Sequence, residues 1–177
     1  MNFEPLAIAG AYRIRIESAD DERGFFARFY CRREFEAHGI PFSIEQGSLS
    51  YNREAGTLRG MHYQCAPCAE IKWVRCVRGR VWDCIIDLRD GSPTFGHWVA
   101  DELSAENRAG FLVPEHCAHG FLTLEPDTEL MYLMSTPYEP ALSRAVRWDD
   151  PFFAIAWPAT PAVISERDRR IPDFKPA

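Results

Sequence analysis

The chain has 177 residues and a formal net charge of −6 at pH 7, a length that suits one domain, 1–177, with a full core. Hydrophobic residues make up 46% and aromatics 13%, which excludes a disordered chain. The acidic balance excludes a general nucleic-acid binder but not a local cationic pocket for a small anion.

The opening run Met1-Asn2-Phe3-Glu4-Pro5 has neither a basic n-region nor a long apolar h-region. No apolar run approaches the ~20 residues of a membrane span, so a cytoplasmic protein with no membrane partner is expected. Arg32 to His38 reads as a short helix ending before Gly39. Next comes Gly56-Thr57-Leu58-Arg59-Gly60-Met61-His62-Tyr63-Gln64, a run flanked by glycine that carries an arginine and an imidazole. Cys65-Ala66-Pro67-Cys68 follows as a lone C-x-x-C, with no second pair and no helical pattern behind it, which speaks against zinc and thioredoxin-like chemistry. The six cysteines are expected to be free thiols, with Cys76 and Cys84 as small core residues.

From Ile71 onward the chain reads as strands. Ile71 to Val77 alternates apolar and polar positions, Gly79-Arg80 turns, and Val81 to Leu88 returns as its partner. Asp90-Gly91-Ser92-Pro93 marks another turn. His97 to Leu103, Ala109 to Val113, Gly120 to Leu124 and Thr128 to Met134 continue the pattern. Short strands with turns every ~8–12 residues predict an all-β sandwich or barrel. Ser165 to Arg170 predicts one helical turn with Ser165 as N-cap, and the two ends, rich in proline and charge, are expected to wrap the barrel.

Several residues carry two readings on sequence alone. His62 and His119, the latter in Pro114-Glu115-His116-Cys117-Ala118-His119-Gly120-Phe121, serve proton transfer or metal ligation, or are satisfied core histidines. Of the 20 basic Lys and Arg residues only Lys72 and Lys175 are lysines. Lys72 stands mid-strand, where it either enters the barrel to stabilise an oxyanion or faces solvent. Tyr132 is a core tyrosine or an acid, Asp168 a solvated carboxylate or a partner of a base, and Arg23 a cation paired with its acidic neighbours or a ligand contact.

The combination resembles the dTDP-4-dehydrorhamnose 3,5-epimerase family, from about Arg23 to Phe174. The motifs that carry it are Glu22-Arg23-Gly24-Phe25-Phe26, Thr57 to Gln64, Ser92-Pro93-Thr94-Phe95-Gly96, Leu103-Ser104-Ala105-Glu106-Asn107, Ala118-His119-Gly120-Phe121, Trp148-Asp149-Asp150-Pro151 and Ile164-Ser165-Glu166-Arg167-Asp168. The resemblance implies a cupin-like jelly-roll β-barrel with short peripheral helices and a metal-independent, cofactor-free epimerase of nucleotide-linked 4-keto sugars. It implies His62 as base, Asp168 as the carboxylate that orients it, Tyr132 as acid on the opposite face, and Lys72 beside the keto oxygen. Arg23, Arg59 and His119 match groups that bind the nucleotide diphosphate, Tyr138 an aromatic residue near the base, and Gln46 and Arg167 stand in matching substrate-contact motifs. A homodimer that exchanges N-terminal segments is implied too, with Arg23 completing the neighbour's site.

The chemistry fits these residue types: a C4 ketone acidifies C3–H and C5–H, and inversion needs one group to remove a proton and another to return it from the opposite face. Arg28, Ser48, Leu133, Pro137 and Ser143 depart from the family pattern and leave open the nucleotide, the sugar and whether one carbon or two is inverted. Within catalysis the alternatives are a mono-epimerase or a CDP- or GDP-linked substrate. A metal-dependent cupin is a second class, but it wants His-x-His where Gln64 stands, leaving a poor set of His62, His119 and Glu70. A non-catalytic sugar-nucleotide binder is a third, and it has no need of an acid and a base together.

Overall fold

Short strands covered on both faces build this molecule: successive side chains point to opposite sides, yet every residue of Ala109–Val113 and Cys117–Thr123 is buried, as are the first five of Lys72–Arg78. The computed structural model describes residues 1–176. Its strands are β1 (Asn2–Pro5), β2 (Tyr12–Arg15), β3 (Ser18–Asp21), β4 (Gly24–Ala27), β5 (Gln46–Asn52), β6 (Thr57–Gln64), β7 (Lys72–Arg78), β8 (Arg80–Asp87), β9 (Trp98–Ser104), β10 (Ala109–Val113), β11 (Cys117–Thr123), β12 (Thr128–Met134), β13 (Ser143–Ala145) and β14 (Val163–Ile164). Two short helices, α1 (Arg32–Ala37) and α2 (Glu166–Arg169), lie outside them.

One sheet runs β1-β2-β10-β7-β12-β5, the other β13-β6-β11-β8-β9 with β14 parallel to β6. Facing each other, they form the expected cupin-like jelly-roll barrel. The core between them includes Val74, Cys76, Val81, Ile85, Phe111 and Phe121. Outside the first sheet, α1 and the turn after it press Phe35, Ile40 and Phe42 onto Trp73 and Leu112. On the outer face of the second sheet the C-terminal segment lays Phe153, Trp157 and Phe174 over Met61, Cys84 and Ile86, so the carboxy end wraps the barrel as expected.

The predicted strands are present, with β11 beginning at Cys117 and so carrying His119 mid-strand instead of just before it. The helix predicted at Arg32 to His38 is α1, with His38 as its C-cap. Ser165 caps α2, its hydroxyl accepting from the Asp168 N–H at 3.1 Å. Strands β1 to β6 were not anticipated. Those of the N-terminal hairpin, β3 and β4, are short and mostly exposed, and β6 contains Gly60, so neither shows clean alternation.

Two of the sequence motifs turn out to fasten loops. Buried Asp87 accepts from Ser92 and Thr94 hydroxyls, both at 2.6 Å, and from Arg89 Nη2 at 2.7 Å. Ser104 and Asn107 exchange reciprocal backbone-to-side-chain bonds of 3.0 Å each. All six cysteines are free thiols, Cys76 and Cys84 buried as expected. Among the described residues no helix is long and apolar enough to cross a membrane.

Candidate active site

Where the interior alternation meets polar side chains, the barrel opens into a cavity of about 580 Å³. On β7 the inward row is Lys72, Val74, Cys76; on β12 it is Leu130, Tyr132; on β11 it is Cys117, His119, Phe121. The apolar members close one part of the barrel, and His62, Lys72, His119 and Tyr132 line the open part together with Asp168 from α2. His62 and His119 are register partners across β6 and β11. The two strands come this close because both carry glycine there. A Cβ on Gly60 would lie 2.6 Å from Gly120 Cα, and one on Gly120 would lie 2.5 Å from the Met61 sulfur.

His62 Nε2 lies 2.8 Å from Asp168 Oδ1, the carboxylate almost fully buried and the imidazole 38% exposed toward the cavity. A carboxylate can only accept here, so Nε2–H donates and Nδ1 is left as the basic nitrogen. Burial pushes the Asp168 carboxyl up, but the hydrogen bond and charge of His62 and the Ser165 hydroxyl outweigh it and hold the carboxyl below its usual range. Helix α2 has one structural task here: its N-cap fixes Asp168 under the imidazole.

Tyr132 comes from the opposite sheet. Burial, reinforced by the charge of Asp83, pushes its phenol well above the ordinary value, so it is a proton carrier and not a phenolate at neutral pH. Lys72 is 8% exposed and its ammonium sits 2.7 Å from Glu70 Oε1. The lysine opens β7 instead of standing mid-strand, and it points into the barrel, a direction that the sequence had left open.

His119 also lines the cavity, yet at 4% exposure. Its Nε2 lies 2.8 and 3.0 Å from the two carboxylate oxygens of Asp83, and its ring packs edge-on to Tyr132 at 5.9 Å between centroids. Burial raises the Asp83 carboxyl, opposed by the charge and hydrogen bond of His119. Asp83 was missed in the sequence, and Glu70 entered there only as a third member of the poor metal set, not as the partner of Lys72. The signal for Asp83 was an acid in the inward row Val81, Asp83, Ile85, where a carboxylate requires a buried partner.

At the mouth of the cavity stand Arg59, Arg167 and Tyr138. Arg59 Nε donates to Asn52 Oδ1 at 2.7 Å, and Arg167 Nη2 to Ser143 Oγ at 3.3 Å. Gln46 does not line the cavity; its Oε1 accepts from the Tyr138 N–H at 2.9 Å and so fixes the rim. Arg23 is not brought to this site within one chain. It lies in the turn of the β3–β4 hairpin, 83% exposed, paired with Asp21. Among the departures, Ser48 and Ser143 line the cavity. Leu133 packs on the outer face of its sheet, Pro137 offers a carbonyl to Gln64, and Arg28 pairs with Glu34. His62, His119 and Glu70, the three side chains left to a metal reading, each have a separate protein partner.

A jelly-roll barrel holding a His–Asp dyad, a buried phenol and a paired ammonium in one cavity defines an acid–base enzyme of the cupin-like type. Residues 5–176 match the dTDP-4-dehydrorhamnose 3,5-epimerase family. A relative of that name from Sinorhizobium fredii (strain NBRC 101917 / NGR234) is 41% identical over 175 residues, covering 98% of this chain and 90% of the relative. A dTDP-4-dehydrorhamnose 3-epimerase from Streptomyces niveus is 38% identical over 170 residues, 96% of this chain and 82% of the relative. The solved dTDP-4-dehydrorhamnose 3,5-epimerase of Bacillus anthracis str. Ames, with TDP and PPi bound, superposes with a TM-score of 0.94 at 38% identity, covering 98% of this chain and 99% of that one. The chain belongs to the dTDP-4-dehydrorhamnose 3,5-epimerase family and is an isomerase.

Proposed function

We propose that this protein inverts C3, C5 or both in a dTDP-linked 4-keto-6-deoxyhexose. The leading reaction takes dTDP-4-dehydro-6-deoxy-D-glucose to dTDP-4-dehydro-L-rhamnose, a cytoplasmic step toward rhamnose-containing polysaccharide. The observation that carries this is the His62–Asp168 dyad on one sheet's side of the cavity and protonated Tyr132 on the other. His62 Nδ1 removes the proton next to the ketone, and Asp168 stabilises the imidazolium that results. The electron pair moves onto the keto oxygen, where Lys72 donates to the enolate. Tyr132 then returns a proton from the opposite face, and the carbon is inverted. No step calls on a metal or redox cofactor.

Arg59 and Arg167 at the mouth suit the diphosphate, since guanidinium groups match phosphate oxygens in charge and geometry. His119 at 4% exposure belongs instead with the sugar at the cavity floor, oriented by Asp83. TDP in the Bacillus anthracis relative supports the thymidine carrier over CDP or GDP. The Streptomyces niveus 3-epimerase supports a second reading with inversion at C3 alone. Ser48 and Ser143, which line the cavity, are where that choice bears on the sugar.

The chain acts as a single domain and as a homodimer. Phe26 is 81% exposed, Phe25 52% and Leu49 66%, an apolar load that favours a covering partner. A second copy that receives the β3–β4 hairpin would take Arg23 into its cavity mouth.

Proton NMR in D₂O with dTDP-4-keto-6-deoxyglucose tests the reading. Enzyme-dependent deuterium uptake at H3 and H5 is expected, and uptake at one position alone selects the mono-epimerase. Silence with this substrate and with its CDP and GDP counterparts overturns the catalytic assignment and leaves a binding protein.

A further inference from the structure

Lys72 reaches the cavity with one protein partner among the described residues, Glu70, whose Oε1 lies 2.7 Å from the ammonium. Both residues are 8% exposed. An ammonium buried without a counter-charge is driven toward its neutral form or out of the pocket. Glu70 supplies that counter-charge and, being itself fixed, sets the direction of the ammonium. The contact with Glu70 is an ion pair, and an ammonium, with three donors, still has donors to offer a ligand oxygen.

Glu70 is held in turn from behind. Gln64, 2% exposed, donates from Nε2 to Glu70 Oε2 at 3.2 Å. The same amide nitrogen approaches the Pro137 carbonyl at 3.3 Å, and Gln64 Oε1 accepts from the Glu139 N–H at 2.6 Å. These last two contacts bracket Tyr138. One amide thus ties the carboxylate behind the ammonium to the segment carrying the aromatic rim of the cavity.

We infer that Glu70 is a positioning residue for Lys72, holding the ammonium aimed at the developing enolate oxygen, with Gln64 linking that pair to the Tyr138 rim. This rests on the epimerase reading above. The assignment predicts that Glu70→Gln, which keeps shape and hydrogen bonding but removes charge, lowers kcat on the order of tenfold with KM within about twofold, because the loss is felt as charge develops on the oxygen. Combined with Lys72→Met, Glu70→Gln should add no further loss, since its effect passes through the ammonium. Glu70→Asp, which keeps the carboxylate, should recover part of the kcat lost in Glu70→Gln.

Steady-state kinetics of these variants decide the matter, with dTDP binding as the check that the cavity is intact. An unchanged kcat in Glu70→Gln, a Glu70→Asp variant as impaired as Glu70→Gln, or a loss that multiplies with that of Lys72→Met overturns the inference. Should Glu70→Gln not fold, Glu70→Asp carries the test against Lys72→Met in the same way. If the wild-type enzyme exchanges no substrate proton in D₂O, it is the epimerase reading that fails, and that result is separate from any of these.

Discussion

Asp168 illustrates how a residue that looks unremarkable in a charged tail acquires a role by being carried to one place. In Glu166-Arg167-Asp168-Arg169-Arg170 nothing distinguishes it from a solvated acid; the Ser165 cap turns it inward, and 106 residues of sequence separation close to 2.8 Å at His62. Its loss should be kinetic more than structural. Asp168→Asn is expected to lower kcat by about 10²-fold or more, the scale of a positioned acid–base group, while dTDP affinity changes little. Tyr132 gives the complementary prediction. With its phenol held protonated by burial, Tyr132→Phe should still let His62 remove the substrate proton, so deuterium washes into substrate while epimer formation falls at least tenfold. Equal loss of both in NMR would mean that Tyr132 supports the base and does not serve as the acid. Lys72 and His62 were legible as candidates because a polar group in an apolar alternating row must be paired or used. Glu70 beside Lys72, and Asp83 buried behind His119, needed the pairing itself to be seen.

At the scale of elements, the β6–β11 contact sets the site's geometry and the turn after β8 fastens its own loop. The predicted strands, β7 to β12, were short apolar-rich runs separated by turns. Strand β6 was hidden because Gly60 leaves a gap in the side-chain pattern, and that gap is what lets β11 approach. Gly120→Ala places a methyl 2.8 Å from the Arg59 carbonyl oxygen and 2.5 Å from the Met61 sulfur. It should cost roughly 1–3 kcal/mol of stability in urea denaturation, as overpacking does, and displace His119 with it. The Asp87 turn makes a pH prediction. Burial pushes this carboxyl up, but Arg89, Ser92 and Thr94 overcome it and hold it far below the ordinary range. A depressed folded-state value contributes stability that is present above the unfolded value of about 3.9 and is lost as pH falls through the folded one. Asp87→Asn should therefore be less stable than wild type by roughly 3 kcal/mol at pH 7, and the gap should narrow as the pH falls below about 4. A constant gap from pH 7 downward would show that charge on Asp87 contributes nothing.

At the scale of the whole molecule, Arg23 does not line the cavity of its own chain: its hairpin is held by Arg108, which stacks on Phe25 at 3.8 Å and donates to Ser18 at 2.8 Å, and Phe25 and Phe26 remain exposed. The family resemblance implies that Arg23 serves the neighbouring subunit, but the chain's own patterning does not, because exchange is a property of the assembly. Subunit mixing separates the two cases. Arg23→Ala and His62→Asn should each be nearly inactive as pure dimers. If Arg23 completes the neighbour's site, a mixed dimer has one site with an intact His62 from the Arg23→Ala subunit and an intact Arg23 from the His62→Asn subunit. Random exchange of equal amounts should then restore about a quarter of wild-type sites, read as epimerisation rate after co-refolding. If Arg23 serves its own chain, every site in every mixed dimer lacks one group or the other, and no activity returns. A monomer in sedimentation at all working concentrations would remove the premise, and the exposed hairpin would then need another partner.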